Sequence, residues 1–144
     1  MLWRIPLIAF VFCSSPVPRL AAQVKPQPRF WVAIGVAKPI YQLAETAKLQ
    51  VSFVVVNDGD AVADPGVGSS HLFINDIEPS DWRFVINNGI RTPSFTALPP
   101  GEVLSFGYEL GPRYFATPGV YRVRWQVGNF RSPETTFRVM PGKR

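Results

Sequence analysis

Cysteine is nearly absent: the chain of 144 residues has one, Cys13, and it has one histidine, His71. A lone thiol forms no intramolecular disulfide and supplies too few ligands for a thiolate zinc site. A lone imidazole leaves no His-Glu-x-x-His helix. Nor is there a Gly-x-Ser-x-Gly elbow, a phosphate-binding glycine loop or a dinucleotide fingerprint. Charge is scarce as well, at 17% against 47% apolar residues, which excludes a disordered polyelectrolyte and a coiled coil. Turn residues are plentiful instead. Fifteen prolines and eleven glycines lie between apolar runs, the layout of many short strands joined by turns. The length suits one domain that buries a core without metal or disulfide staples.

The first 22 residues read as a secretory signal peptide. Arg4 supplies a positive start, residues 5–12 are an apolar run far too short to span a bilayer, and Ala21-Ala22 offer a small-residue cleavage site. The protein is therefore expected to be secreted or periplasmic, with no transmembrane segment in the mature chain. Cys13 leaves with the signal; the bulky Phe12 before it is unlike the residue preceding a lipidated cysteine. Losing Arg4 and Arg19 takes the formal charge from +5 to +3, too small an excess to announce nucleic acid.

Residues 23–29 form a polar, proline-spaced, extended lead-in, and 141–144 a short tail. Between them, over 30–140, seven β-rich segments are expected as strands: 30–36, 48–57, 70–75, 82–87, 103–110, 120–127 and 135–139. Turn residues between them indicate an all-β, seven-stranded antiparallel sandwich. The only helical candidate is 41–49. Alternation assigns faces. Leu49, Val51, Phe53 and Val55 point inward, as do Leu104, Phe106, Tyr108 and Leu110. Tyr121, Val123, Trp125 and Val127 make a third inward row, and Phe137 with Val139 a fourth.

"PGVYRV" (118–123) resembles the Gly-x-Tyr-x-Cys segment of immunoglobulin-like domains, with Val123 in the cysteine position. That resemblance implies a structural role for Tyr121, whose hydroxyl would bond back to the backbone in a corner between sheets. "PIYQLAETAKLQVSFVVVNDGD" (39–60) is similar to the opening of bacterial extracytoplasmic immunoglobulin-like modules, where a strand ends in Asn-x-Gly. Macroglobulin-like, cell-adhesion-related and intracellular proteinase inhibitor domains share that layout. The resemblance implies an immunoglobulin-like sandwich, and a fold of this kind does not carry a function with it.

Candidate chemistry is thin. Ser69, Ser70, His71 and Asp76 hold the residue types of a nucleophilic triad, but adjacency in sequence is not triad geometry. Asp58, Asp60 and Asp64 have carboxylate density for Ca²⁺, yet their spacing departs from a calcium loop and suits a solvated turn. Glu78 and Asp81 flank a Pro-Ser turn beside Trp82 and read as polar turn residues rather than a glycosidase pair. No catalytic residue, metal ligand or cofactor is assigned.

Surfaces are more informative. Arg122 and Arg124 face outward on the penultimate strand and Arg138 on the last, with Arg138 opposite or diagonal to another arginine. Glu134 and Glu109 stand as candidates to intervene. The row reads as a solvated sheet face; nucleic acid would require interleaved exposed aromatics. Val54 and Val56 also point away from the core, and on the first strand either Trp31 or the Phe30/Val32/Ile34 set must do so. The expected function is a non-catalytic binding or assembly module with a protein partner. Two alternatives stand beside it. One is a protease inhibitor acting through loops 58–69 and 88–101. The other is a carbohydrate-binding domain stacking sugars on Trp82, Tyr114 or Phe115. Because the core rows begin at Phe30, a chain lacking residues 1–28 should remain folded and free of aggregates. Near-ultraviolet circular dichroism and gel filtration check this, and a molten or aggregated product would refute both the boundary and the signal.

Overall fold

The structure, a computed structural model, describes residues 27–142. The expected signal peptide, Cys13, most of the lead-in and the last two residues lie outside the described residues. Two sheets enclose one apolar core. In the first, β1 (Phe30–Val36), β3 (Gln50–Asn57) and β5 (Val103–Glu109) lie in the order β1-β3-β5, both ladders antiparallel. The second contains β2 (Ile40–Gln42), β8 (Thr135–Met140), β6 (Gly119–Val127) and β4 (His71–Ile74), in that order. A two-residue β7 (Phe130–Arg131) also pairs with β6. Only β2–β8 is parallel. The chain leaves the first sheet at Val36 and joins the second at Ile40, so its opening segment serves both layers. This is an immunoglobulin-like β-sandwich.

Six of the seven expected strands are strands, and the four inward rows supply the core. Phe53, Val55, Leu104, Val123, Trp125, Val127, Phe137 and Val139 are all buried. The exception is 82–87, which is a helix, α1 (Trp82–Asn87). A strand would have turned Trp82, Phe84 and Ile86 to one side. Instead Trp82, Val85 and Ile86 are buried and Phe84 is exposed, the i, i+3, i+4 spacing of one helical face. Two turns are too short a window for that period to stand out from alternation.

The seventh strand of any length is β2, which has only three residues between Pro39 and a 3₁₀ turn, Leu43–Lys48, inside the expected helical segment. The turn begins with a reciprocal cap, Glu45 accepting from the Gln42 backbone at 2.6 Å. A second short helix, α2 (Gly111–Tyr114), packs on this turn so closely that a Cβ at position 111 would lie 1.7 Å from the Thr46 carbonyl. Only glycine fits there.

Asn57, the first residue of the Asn-x-Gly segment, is wholly buried and ties two loops together. Its amide donates to the carbonyls of Ala61 at 2.9 Å and Leu98 at 2.8 Å, and its Oδ1 accepts from Gly59 N–H at 2.9 Å. The Ala63–Leu98 bridge continues the connection.

The tyrosine corner is present. The Tyr121 hydroxyl donates to the Thr117 carbonyl at 2.7 Å, and its ring packs against Phe115 and Phe137. Water can still reach this partly exposed pair, so Tyr121→Phe should cost about 0.5–1.5 kcal/mol, the net value of one hydrogen bond. Denaturant unfolding measures it; an unchanged midpoint would mean that the corner bond holds nothing.

Candidate functional site

Alternation in β1 buries Phe30, Val32 and Ile34 and so forces Trp31 outward, where it is 55% exposed. The register then builds a row across the sheet. Trp31 stands opposite Val56, and Val56 opposite Val103, which is 58% exposed. The next outward row is Ala33, Val54 and Ser105, and the one after it Gly35, Ser52 and Gly107. Three strands thus present nine outward positions without a charge, graded from bulky to bare. Val54 and Val56 point outward as expected. Val103 completes the row, and the signal for it was its odd position in a strand whose next residue, Leu104, is core.

The outer face of the second sheet is different in kind. Arg138 lies opposite Val120 and diagonal to Arg122, which itself faces Thr136. An intervening carboxylate comes from Asp76, in a tight turn where Asn75 and Asp76 have φ of 49° and 67°. Both values suit the primed turn that joins twisted strands. The Asn75 side chain fixes the turn, its Oδ1 accepting from the Arg122 backbone at 2.9 Å. Asp76 then pairs with Arg122 at 3.0 Å and, through its other oxygen, with Arg124. Glu134 reaches Arg124 at 3.8 Å. Glu109 does not intervene, because it lies on the other sheet opposite Gln50. Arg124 also covers the Phe73 ring. The shallow cleft beside it, lined by Phe73, Gln126, Arg131 and Ser132, holds about 250 Å³, less than a small-molecule site requires.

The remaining candidates are dispersed. Trp82 is 0% exposed, with its indole N–H donating to the Ser70 carbonyl at 3.0 Å and its ring against Phe53. It offers no face to a sugar, and Phe115 is equally buried. Asp81 is engaged by the Tyr114 hydroxyl at 2.8 Å and by Arg113. The Tyr114 bond first, and then Arg113, hold its carboxyl below the ordinary range. Burial, reinforced by Asp81, pushes the Tyr114 phenol above its ordinary value. Glu78 instead sits 2.9 Å from His71 Nδ1, so Glu78 and Asp81 serve different partners. Ser70 is buried and Asp76 is held by arginines, leaving no triad around His71. Asp58 pairs with Arg29 at 3.0 Å, and Asp64 accepts the Gly66 N–H at 2.7 Å. Among the described residues, no three His, Cys, Asp or Glu side chains cluster as metal ligands.

One loop stands out. Ile90 is 100% exposed, while its neighbours are pinned. Asn88 N–H donates to the Val85 carbonyl at 3.1 Å. Arg91 donates to the Ile86 carbonyl and to Asn87 Oδ1, both at 2.8 Å, and lies over the Phe95 ring.

No protein-family model and no curated protein matches the chain. Among solved structures, it is similar to the CARDB domain of a Pyrococcus furiosus protein in complex with di-metal ions. That similarity has 15% identity and a TM-score of 0.48, over 81% of this chain and 96% of that one. It is also similar to part of β-glucosidase 3B from Thermotoga neapolitana in complex with α-D-glucose. There the identity is 18% and the TM-score 0.44, over 81% of this chain and 16% of that one.

With acids between the arginines, replacing Arg122, Arg124 and Arg138 by Gln should change stability by no more than about 0.5 kcal/mol each. Retention on heparin should fall no further than when Arg29, Lys143 and Arg144 are removed. A loss confined to the sheet variant would make the row an anion-binding site.

Proposed function

We propose that this chain is a secreted or periplasmic, non-catalytic immunoglobulin-like module that binds a protein partner through the outer face of its three-stranded sheet. The observation that carries the reading is the Trp31–Val56–Val103 row. Two of its three side chains are more than half exposed, and the two outward rows beside it, Ala33–Val54–Ser105 and Gly35–Ser52–Gly107, carry no charge. Isolated surface hydrophobics need no explanation, but a contiguous apolar row across three strands marks a contact surface. An aromatic flanked by aliphatics is the composition of an interface centre.

A second reading is a protease inhibitor acting through the 88–101 loop. Ile90 favours it, being a wholly exposed aliphatic side chain on a segment held from both sides. Of the three aromatics of the carbohydrate reading, Trp82 and Phe115 are buried, and Tyr114 is half-buried with its hydroxyl bound to Asp81, so a stacking row for sugars has at most one member.

One experiment separates these readings. A photo-crosslinking amino acid is placed singly at positions 31, 90, 103 and 138, and the source cells are irradiated. Discrete protein adducts from 31 and 103, absent from 138, are the expected outcome. Adducts from 90 alone, joined to an endopeptidase that the purified chain inhibits, would replace this reading with the inhibitor. No discrete adduct from 31 or 103 would overturn the sheet face.

A further inference from the structure

We propose that the occupant of the sheet face is a second copy of this chain, docked face to face about a two-fold axis that crosses the strands of β1, β3 and β5. This rests on reading that face as a protein-binding surface and names its partner. A two-fold contact requires a self-complementary patch, and the three outward rows have that property. An axis lying in the interface along the middle row (Ala33, Val54, Ser105) reverses the strand direction but keeps each strand over its own copy. Trp31 then lies over Gly35, Val56 over Ser52, and Val103 over Gly107. Each larger side chain thus meets a smaller residue, glycine or serine, on all three strands and in both halves.

The space for Trp31 exists: a Cβ built on Gly35 has nothing within 4 Å. At Gly107 the Gln50 side chain lies across the position, its Nε2 2.5 Å from where a Cβ would sit, and this flexible group swings aside when Val103 docks. The other possible axis, parallel to the strands, sets Trp31 over Val103. That holds the sheets apart at one end and leaves the glycine rows facing a void, so it is disfavoured against the roughly 10 Å spacing of packed sheets.

Charge leaves the centre of the contact neutral. The nine facing positions are uncharged, and each end of the face carries both signs, the Arg29–Asp58 pair at one and Glu109 with Lys48 at the other. Area sets the strength. Three strands about 4.8 Å apart and five residues of about 3.3 Å each give a face of roughly 14 by 17 Å. That is well below the ~800 Å² per partner of a stable complex. The association is therefore weak and concentration-dependent.

Sedimentation velocity of the purified chain from about 5 to 500 μM tests the proposal. The wild type is expected to move from monomer towards dimer across this range, without higher species. Trp31→Ser should remain monomeric. Gly35→Leu is the decisive variant: with open space above it the protomer tolerates the side chain, which a thermal melt like that of the wild type confirms. The added leucine nevertheless fills the recess that receives Trp31. Self-complementary docking requires Gly35→Leu to abolish the dimer, whereas an unspecifically sticky face would associate more strongly with the extra apolar surface. A Gly35→Leu protein that dimerises as well as or better than the wild type overturns the proposal. So does a wild type that is monomeric throughout. If such a monomer still gives residue-31 adducts with a different protein, the face remains a binding surface and only its partner changes.

Discussion

Phe53 holds the two layers together. It rises from the middle strand of the first sheet and is wholly inaccessible. Its ring meets Trp125 of the second sheet at 5.1 Å, Phe106 of its own sheet at 5.3 Å and Trp82 of α1 at 5.6 Å. Immunoglobulin domains of the antibody type join these layers by a disulfide packed against a tryptophan. Residues 27–142 contain no cysteine, and the inter-sheet tie is aromatic. Burying such rings contributes roughly 3–5 kcal/mol each as judged by truncation to Ala. The T-shaped contact of Phe53 with Trp125 adds about 0.5–1.5 kcal/mol beyond area. The helix at 82–87 follows from the same cluster, because Trp82 reaches Phe53 while Val85 and Ile86 also stay buried.

With the core closed this way, the two outer faces are free to differ. The second sheet carries arginines spaced by Thr136, Gln126 and the carboxylates of Asp76 and Glu134. Such exposed pairs contribute little to stability; their effect is a hydrated face that discourages unwanted pairing. The first sheet has no such dressing. Its three central outward rows, from Trp31 to Gly107, hold no charge, and Glu109 and the Arg29–Asp58 pair stand only at the ends.

The loops obey a related constraint. Asn57 uses both amide donors and its Oδ1 inside the core while joining the 58–69 and 88–101 segments, and Arg91 clamps the turn below Ile90. A segment held in this way loses little entropy when a partner meets it. The pinned loop around Ile90 and the uncharged rows of the sheet face are both built on elements ordered by the core.

The strands and their inward rows were legible in the chain, because alternation is a property of near neighbours along one segment: Leu49 to Val55 and Tyr121 to Val127 point where their spacing says. The tyrosine corner was legible too, from one short segment. The three-residue β2 was not, since Ile40–Gln42 becomes a strand only by lying parallel to β8. Nor was α1, where six residues fit two periods and contact with Phe53 decides between them. The candidate site divides in the same way. That Val54 and Val56 face outward was contained in their sequence. That Trp31 and Val103 stand beside Val56 while Asp76 reaches across to Arg122 and Arg124 was not. Those neighbours are up to 48 residues apart, and they meet through strand register and the positive-φ turn at Asn75–Asp76. Cross-strand neighbours are set by pairing, so only the tertiary structure decided which outer face was neutralised and which was left bare.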